Sequence, residues 1–291
     1  MVLKLSELMV RKPLIHREDP LILGLSMLAG KDRSSPYRVV VVDDESRVQG
    51  ILTGRRVLEV LTGYRGESLW LKYGLHGILR LPIFLFIDEA RHIFTCQEHP
   101  QTILQYMSEN DIGHVIIVDD HMSVKGVIDE FAILNRLRGK TFGIKVKEVM
   151  TRNVHTIGPN ALLMEAAKKM ISYKVRRLPV IEHGRVKGLI TITDILNHIM
   201  AKDVELVRYD TDITIENVLS EEVRNVMSSN VIYVRPTDDV GIAIDKVLTH
   251  DISGLVVMGS NNDLLGIVSR IDLVTRLSKV LGVGNLLELM E

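Results

Sequence analysis

Apolar positions along the chain switch between helical and strand-like spacing, and the switch recurs four times. A short apolar stretch opens each cycle: PLIH at Pro13, HIFT at His92, VHTI at Val154 and VIYV at Val231. A proline follows each time, at Pro20, Pro100, Pro159 and Pro236, just ahead of a segment with helical spacing. Proline is tolerated there because the first-turn N–H has no helical partner. In ALLMEAAKKMISY one face holds Leu162, Leu163, Ala166, Ala167 and Met170; in DDVGIAIDKVLTH it holds Val240, Ile244 and Val247. Next come RVVVVDD, HVIIVDD, RLPVIEH and GLVVMGS, whose β-branched runs predict strands buried on both faces. Polar turns follow (DDES, DDHM, EHGR, GSNND), then a second strand carrying a glycine, then a helix: RRVLEVL, EFAILNRL, DILNHIM or IDLVTRL. The pattern predicts an α/β chain of four β-α-β-β-α repeats, over residues 1–62, 80–139, 145–201 and 222–279. Linkers are expected over about 62–81 and 202–222, with a short tail after Lys279.

The glycine strand carries a phrase. GLITITD at Gly188 and GIVSRID at Gly266 both read glycine, two aliphatics, a hydroxyl residue, two spacers and an aspartate. The corresponding stretches GILTGRR at Gly50 and GVIDEFA at Gly126 have lost the aspartate, and the second has lost the hydroxyl as well.

Composition narrows the reading. Apolar residues make up 46% and charged residues 25%, which suits a packed globular core. Aromatics are 4%, so Val, Ile and Leu must supply most of that core. A formal net charge of −1 gives no bulk pull toward nucleic acid or anionic membrane. The longest apolar run, GILRLPIFLFI from Gly77, is too short for a bilayer span and is broken by Arg80 and Pro82. MVLKLSELMVRK lacks a signal-peptide layout, and the single cysteine, Cys96, excludes an internal disulfide, so a cytoplasmic protein is expected. Cys96 is expected to be buried. His155, His183 and His198 are scattered, which argues for surface or hydrogen-bonded histidines over metal ligands. KVKEVM at Lys145 and RSSPYR at Arg33 read as solvated basic patches. No glycine-rich phosphate loop, hydrolase elbow or catalytic carboxylate pair stands out, so the chain is expected not to be an enzyme.

In these repeats and in the phrases Gly188–Asp194 and Gly266–Asp272, the chain resembles four tandem CBS domains forming two Bateman modules. The likeness is strongest from Val149 onward and looser in the first two repeats. It implies that repeats 1 and 2, and repeats 3 and 4, pair sheet to sheet in a flat pseudo-four-fold disc, within one chain or with a second copy. It also implies an adenosyl ligand, AMP, ADP or ATP ahead of S-adenosylmethionine, in the cleft between repeats 3 and 4. No other cofactor and no metal is implied.

In this reading Thr191 and Ser269 end strands, while Asp194 and Asp272 lie in the first helical turns that follow. Residues three apart share one side of a turn, and an ionised aspartate accepts only, so its two oxygens can take both hydroxyl protons of a ribose. The same spacing is also that of a helix-capping box. Arg56 and Ala132 occupy the aspartate positions of repeats 1 and 2, beside Thr53 and Asp129, and offer no acceptor. Arg177, Arg176, Arg270 and Thr193 are the phosphate candidates; Arg176 fits a solvated edge equally well, and Arg270 could point to solvent. Val154, His155, Val231 and Ile232 are the adenine candidates by resemblance, though Val231 and Ile232 fit a core equally well. The rival readings are an interaction scaffold whose phrases only cap helices, an S-adenosylmethionine sensor, and a nucleic-acid regulator using Gly54–Arg56. The adenosyl reading also expects an unnamed downstream protein partner.

Overall fold

The computed structural model describes residues 3–30, 38–65, 67–209 and 214–291. The patch from Arg33 to Tyr37 lies outside the described residues. Four segments share one element order. Repeat 1 holds strands β1 (Leu14–His16), β2 (Arg38–Val42) and β3 (Val48–Thr53), with helices Leu21–Ala29 and Gly54–Leu61. Repeat 2 holds β4 (Ile93–Thr95), β5 (His114–Val118) and β6 (Val124–Asp129), with helices Pro100–Glu109 and Glu130–Arg136. Repeat 3 holds β7 (Arg177–Glu182) and β8 (Arg185–Thr191), with helices Leu163–Ser172 and Ile192–Tyr209. Repeat 4 holds β9 (Tyr233–Val234), β10 (Gly254–Met258) and β11 (Leu264–Ser269), with helices Val240–Thr249 and Arg270–Leu281.

In each repeat the middle strand pairs antiparallel with the strand that follows it. The opening strands β1, β4 and β9 add parallel to the other edge. In repeat 3 this edge shrinks to one parallel bridge, Ile157 with Val180. The middle strands are buried almost throughout, as their β-branched runs predict. Val240, Ile244 and Val247 are fully buried on one helix face, and so are Leu163, Ala166, Ala167 and Met170. Leu162 departs from the expected face: it is the N-cap of its helix and is 38% exposed. Of the four prolines, Pro100 sits in a first turn and Pro20 is an N-cap. Pro159 and Pro236 lie ahead of the N-caps Leu162 and Asp239.

The expected linkers and tail are structured. The first contains a helix, Glu67–Arg80, bent at Gly74, whose φ is 61°. Leu75, Ile78, Leu79, Ile83 and Phe86 from this region are buried, so the apolar run around Gly77 is core. The second begins inside the helix Ile192–Tyr209 and includes the short helix Ile215–Val218. The tail forms a helix, Val283–Met290, that buries Leu286 and Met290. Cys96 is exposed, contrary to expectation, because it stands just past the end of β4 where the chain leaves the sheet. Among the described residues no helix is long and apolar enough to cross a membrane.

The chain divides into two compact units. One comprises Pro13–Ala90 and His155–Asn230 and holds repeats 1 and 3; the other comprises Met1–Lys12, Arg91–Val154 and Val231–Glu291 and holds repeats 2 and 4. Each has its own core. In the odd unit Leu25, Val57 and Leu61 of repeat 1 join Met170, Ile195 and Ile199 of repeat 3. In the even unit Leu104, Met107 and Ile133 of repeat 2 join Ile244, Leu273 and Leu277 of repeat 4. Each core thus joins alternate repeats. The apolar helix faces of alternate repeats meet.

Lead-in segments supply a second link, by exchange of chain. Within the even unit, Val10, in the lead-in before β1, bridges Val127 on β6, and Thr151, in the lead-in before Ile157 of repeat 3, bridges Ile267 on β11. Within the odd unit, Asp88, in the lead-in before β4, bridges Ile51 on β3, and Ser228, in the lead-in before β9, bridges Leu189 on β8. The final strand of each repeat is thus edged by the lead-in of its neighbour in sequence.

Candidate functional site

The marker glycine of the phrase serves this exchange. A Cβ on Gly188 would lie 2.4 Å from Met227 Sδ and 2.9 Å from Ser228 O. On Gly266 it would lie 2.6 Å from Thr151 O, on Gly50 2.7 Å from Asp88 O, and on Gly126 3.1 Å from Val10 O. All four copies keep glycine where the lead-in backbone crosses.

The residue three places on is an N-cap in every repeat. Thr53 Oγ1 accepts from Arg56 N at 3.2 Å, and Asp129 Oδ1 accepts from Ala132 N at 2.9 Å. Thr191 Oγ1 accepts from Asp194 N at 3.3 Å, and Ser269 Oγ accepts from Asp272 N at 3.3 Å. Asp129 can replace a hydroxyl residue because its carboxylate also satisfies an orphan N–H of the first turn. Two parts of the phrase are therefore held by the fold, and only the aspartate is free to vary.

Where that aspartate is present, one of its oxygens completes the cap. Asp194 Oδ2 accepts from Thr191 N at 2.8 Å and from Thr191 Oγ1 at 2.7 Å. Asp272 Oδ2 accepts from Ser269 N at 2.8 Å and from Ser269 Oγ at 2.6 Å. In both aspartates Oδ2 belongs to the capping box. Burial pushes the Asp194 carboxyl above its ordinary pKa of 3.8, against the opposing bonds from Thr191.

The degenerate copies use the space differently. Arg56 Nε donates to Phe86 O at 3.3 Å and lies 3.7 Å from Asp88 Oδ1, with its Nη1 3.8 Å from Glu59. Arg55 lies 3.7 Å from Glu59, so carboxylates offset the positive charge of the Gly54–Arg56 stretch. Asp129 pairs with Lys12 at 3.3 Å.

The other candidates fall into their two units. In the odd unit, Arg177 opens β7, stands opposite Thr191 in register and is only 6% exposed. Arg176 is half-buried, and its carbonyl accepts from Ile192 N at 3.0 Å. Thr193 is half-buried in the first turn of the helix that starts at Ile192. His155 is exposed and stacks on Tyr173, with ring centroids 3.7 Å apart and planes within 7°. Ile157 precedes β7 in the sheet, so His155, Arg177 and Thr191 share one end of it. His198 Nε2 lies 2.9 Å from Val218 O, a partnered histidine as expected.

In the even unit, Val154, Val231 and Ile232 are half-buried, and Ile232 packs against the core. Arg270 is buried. Its Nη2 donates to Asp251 Oδ1 at 2.9 Å, and its guanidinium lies 5.4 Å from the centre of the Phe131 ring. The alternative that it points to solvent is set aside. Arg276, which pattern reading passed over, lies with its Nη2 3.0 Å from Asp272 Oδ1. Its position four residues beyond the aspartate was the available signal.

The CBS-domain profile matches residues 87–139, 146–201 and 223–279. The chain belongs to the CBS-domain family. A 33.4 kDa protein from the ribosomal RNA operon of Thermofilum pendens is 27% identical over 272 residues, 91% of this chain and 88% of that one. Protein MJ1225 of Methanocaldococcus jannaschii is 24% identical over 257 residues, 86% of this chain and 89% of that one. The crystal structure of MJ1225 superposes with a TM-score of 0.81 at 18% identity, covering 94% of this CBS protein and all of that chain. A conserved protein of Pyrococcus horikoshii superposes with a TM-score of 0.60 at 18% identity over the same share. These likenesses carry the fold over 94% of the chain.

Proposed function

We propose that this chain is a regulatory protein of four CBS repeats that senses an adenine nucleotide (AMP, ADP or ATP) and takes its ribose at Thr191 and Asp194. One observation carries the reading. Asp194 Oδ2 closes the cap, while Oδ1 of the same half-buried carboxylate accepts no bond from any described residue. An ionised carboxylate oxygen that takes no donor from the protein is an acceptor that ribose hydroxyls can fill. The element order of repeat 1, shared with the three matched repeats, supports counting it as a fourth CBS domain.

Arg177, buried opposite Thr191, favours a phosphate-bearing ligand over S-adenosylmethionine, whose sulfonium cation would meet like charge. Thr193 adds a hydroxyl, and the helix start adds positive potential. His155, at the same end of the sheet, is the adenine-side candidate of this unit. Binding would act by preferring one of two arrangements of the protein, which a downstream partner would read.

A scaffold is the second reading. It is favoured by the cap contacts that all four repeats make, with or without the aspartate. Calorimetric titration of AMP, ADP, ATP and S-adenosylmethionine separates the two. The sensor reading expects saturable binding of at least one nucleotide and a loss of about tenfold or more in Asp194→Ala, as a lost charged hydrogen bond implies. No binding of any of the four promotes the scaffold.

A further inference from the structure

The aspartates of the two intact phrases differ in one charged neighbour. In repeat 4 the guanidinium of Arg276 lies against Asp272 Oδ1 at 3.0 Å. It is itself anchored twice by the lead-in segment of repeat 3: Nη1 donates to Val149 O at 3.0 Å, and Nη2 donates to Thr151 Oγ1 at 2.8 Å. That segment is fixed in turn by the Thr151–Ile267 bridge to β11. Asp272 is 8% exposed, and its other oxygen is engaged by Ser269. Both sides of this carboxylate are therefore occupied from within the even unit.

Repeat 3 has the same cap and lacks the lock. Four residues beyond Asp194 stands His198, whose ring is engaged at Val218 O. The lead-in residue equivalent to Thr151 is Ser228, which bridges Leu189 as Thr151 bridges Ile267. Its Oγ donates to Asn230 O at 3.5 Å and holds no arginine.

We propose that Arg276 is a specificity-determining residue: by holding Asp272 it closes repeat 4 to a ribose diol and leaves Asp194 of repeat 3 as the single adenosyl acceptor in the chain. A diol must donate two protons. At Asp272 it would find an oxygen already facing a cation that carries donors of its own. Displacing Arg276 would break its contacts with Asp272 Oδ1, Val149 O and Thr151 Oγ1 at once. At Asp194 no described residue has to be displaced from Oδ1. The inference rests on the adenosyl reading above, and it is what tells two motifs of one pattern apart.

The test is calorimetry on the full chain with AMP and, separately, ATP as probes, reading both stoichiometry and affinity. The wild-type chain is expected to bind one nucleotide. Asp272→Asn should keep that stoichiometry, with affinity within about twofold, whereas Asp194→Asn should bind about tenfold or more weakly. Arg276→Met should add a second site. Two sites in the wild type, or a tenfold loss in Asp272→Asn (about 1.4 kcal/mol), would overturn the lock while leaving the sensor standing. Absence of binding in every form overturns the sensor and the lock with it. Should Arg276→Met melt before titration, Asp272→Asn decides alone, because the asparagine keeps the shape and the capping acceptor.

Discussion

Met227 lies directly over Gly188: a methyl group on that glycine would sit 2.4 Å from its Sδ and 2.9 Å from the carbonyl of Ser228. The first of these contacts is with a flexible thioether, which can move. The second is with backbone that is hydrogen-bonded in both directions to Leu189, at 2.9 and 3.0 Å, and cannot yield without opening the bridge.

Gly188→Ala should therefore destabilise the chain by about 1–3 kcal/mol, the usual cost of forcing extra carbon into a packed site. The melting temperature of the ligand-free protein measures it. Gly158, with nothing near its added carbon, is the control. An equal, small effect at both positions would mean that the marker glycine is not required by the crossing backbone.

Asp129 tests the cap where no ligand role is claimed. It satisfies Ala132 N at 2.9 Å and pairs with a mostly buried Lys12 at 3.3 Å. Removing an N-cap costs about 0.5–2 kcal/mol. Asp129→Ala should fall in that range or slightly above it, since Lys12 loses its partner. Chemical denaturation measures the change, and no loss of stability would refute the capping account of the degenerate phrase.

The C-terminal helix should matter more than a tail outside the repeats would suggest. Leu286 is fully buried in the even core, Lys140 Nζ donates to Leu289 O, and Leu3 N donates to Glu291 Oε1 at 3.2 Å. Leu286→Ala should destabilise by about 2–5 kcal/mol, the range for deleting a buried leucine side chain. An effect under about 1 kcal/mol would mean that this helix contributes little to the core.

Periodicity made the repeats legible, because each element reports its own burial through local spacing. Val240, Ile244 and Val247 announced their helix face, and the middle strands announced theirs. The hydroxyl–aspartate pair was equally plain. What local spacing does not encode is the approach of a distant segment. Nothing near Gly188 says that Met227 and Ser228 will cross it, so the glycine reads as a marker and not as a contact. The grouping of the cores was not legible for the same reason. Leu61 and Met170 both read as core residues, but neither states that the other will be its neighbour. Arg276 was readable as an i,i+4 partner of Asp272. Its anchoring at Val149 and Thr151 was not, since it depends on where the exchanged lead-in runs.

The protonation of Asp194 gives the last prediction. Burial raises its pKa above 3.8 in the folded chain, with the Thr191 bonds pulling the other way. Between the unfolded and folded pKa values the native state holds more proton than the unfolded state. Stability from this group is therefore present at the acid end and falls as pH rises through that window. Asp194→Asn removes the ionisation while keeping a cap acceptor. Ligand-free, the variant should gain stability relative to wild type as pH rises from 3.8 through the raised value, then hold that gain to neutral pH. Binding runs in the opposite direction. Ribose hydroxyls donate best to the ionised carboxylate, so wild-type affinity should fall as pH drops toward the raised pKa. The difference between wild type and Asp194→Asn should shrink with it. Taking that difference cancels the titration of the nucleotide itself, which is the same for both proteins. Calorimetric affinities and melting temperatures across this range check both signs. An affinity gap that stays constant down to the ordinary carboxylate pKa would show that Asp194 does not bind the ligand through its ionised form.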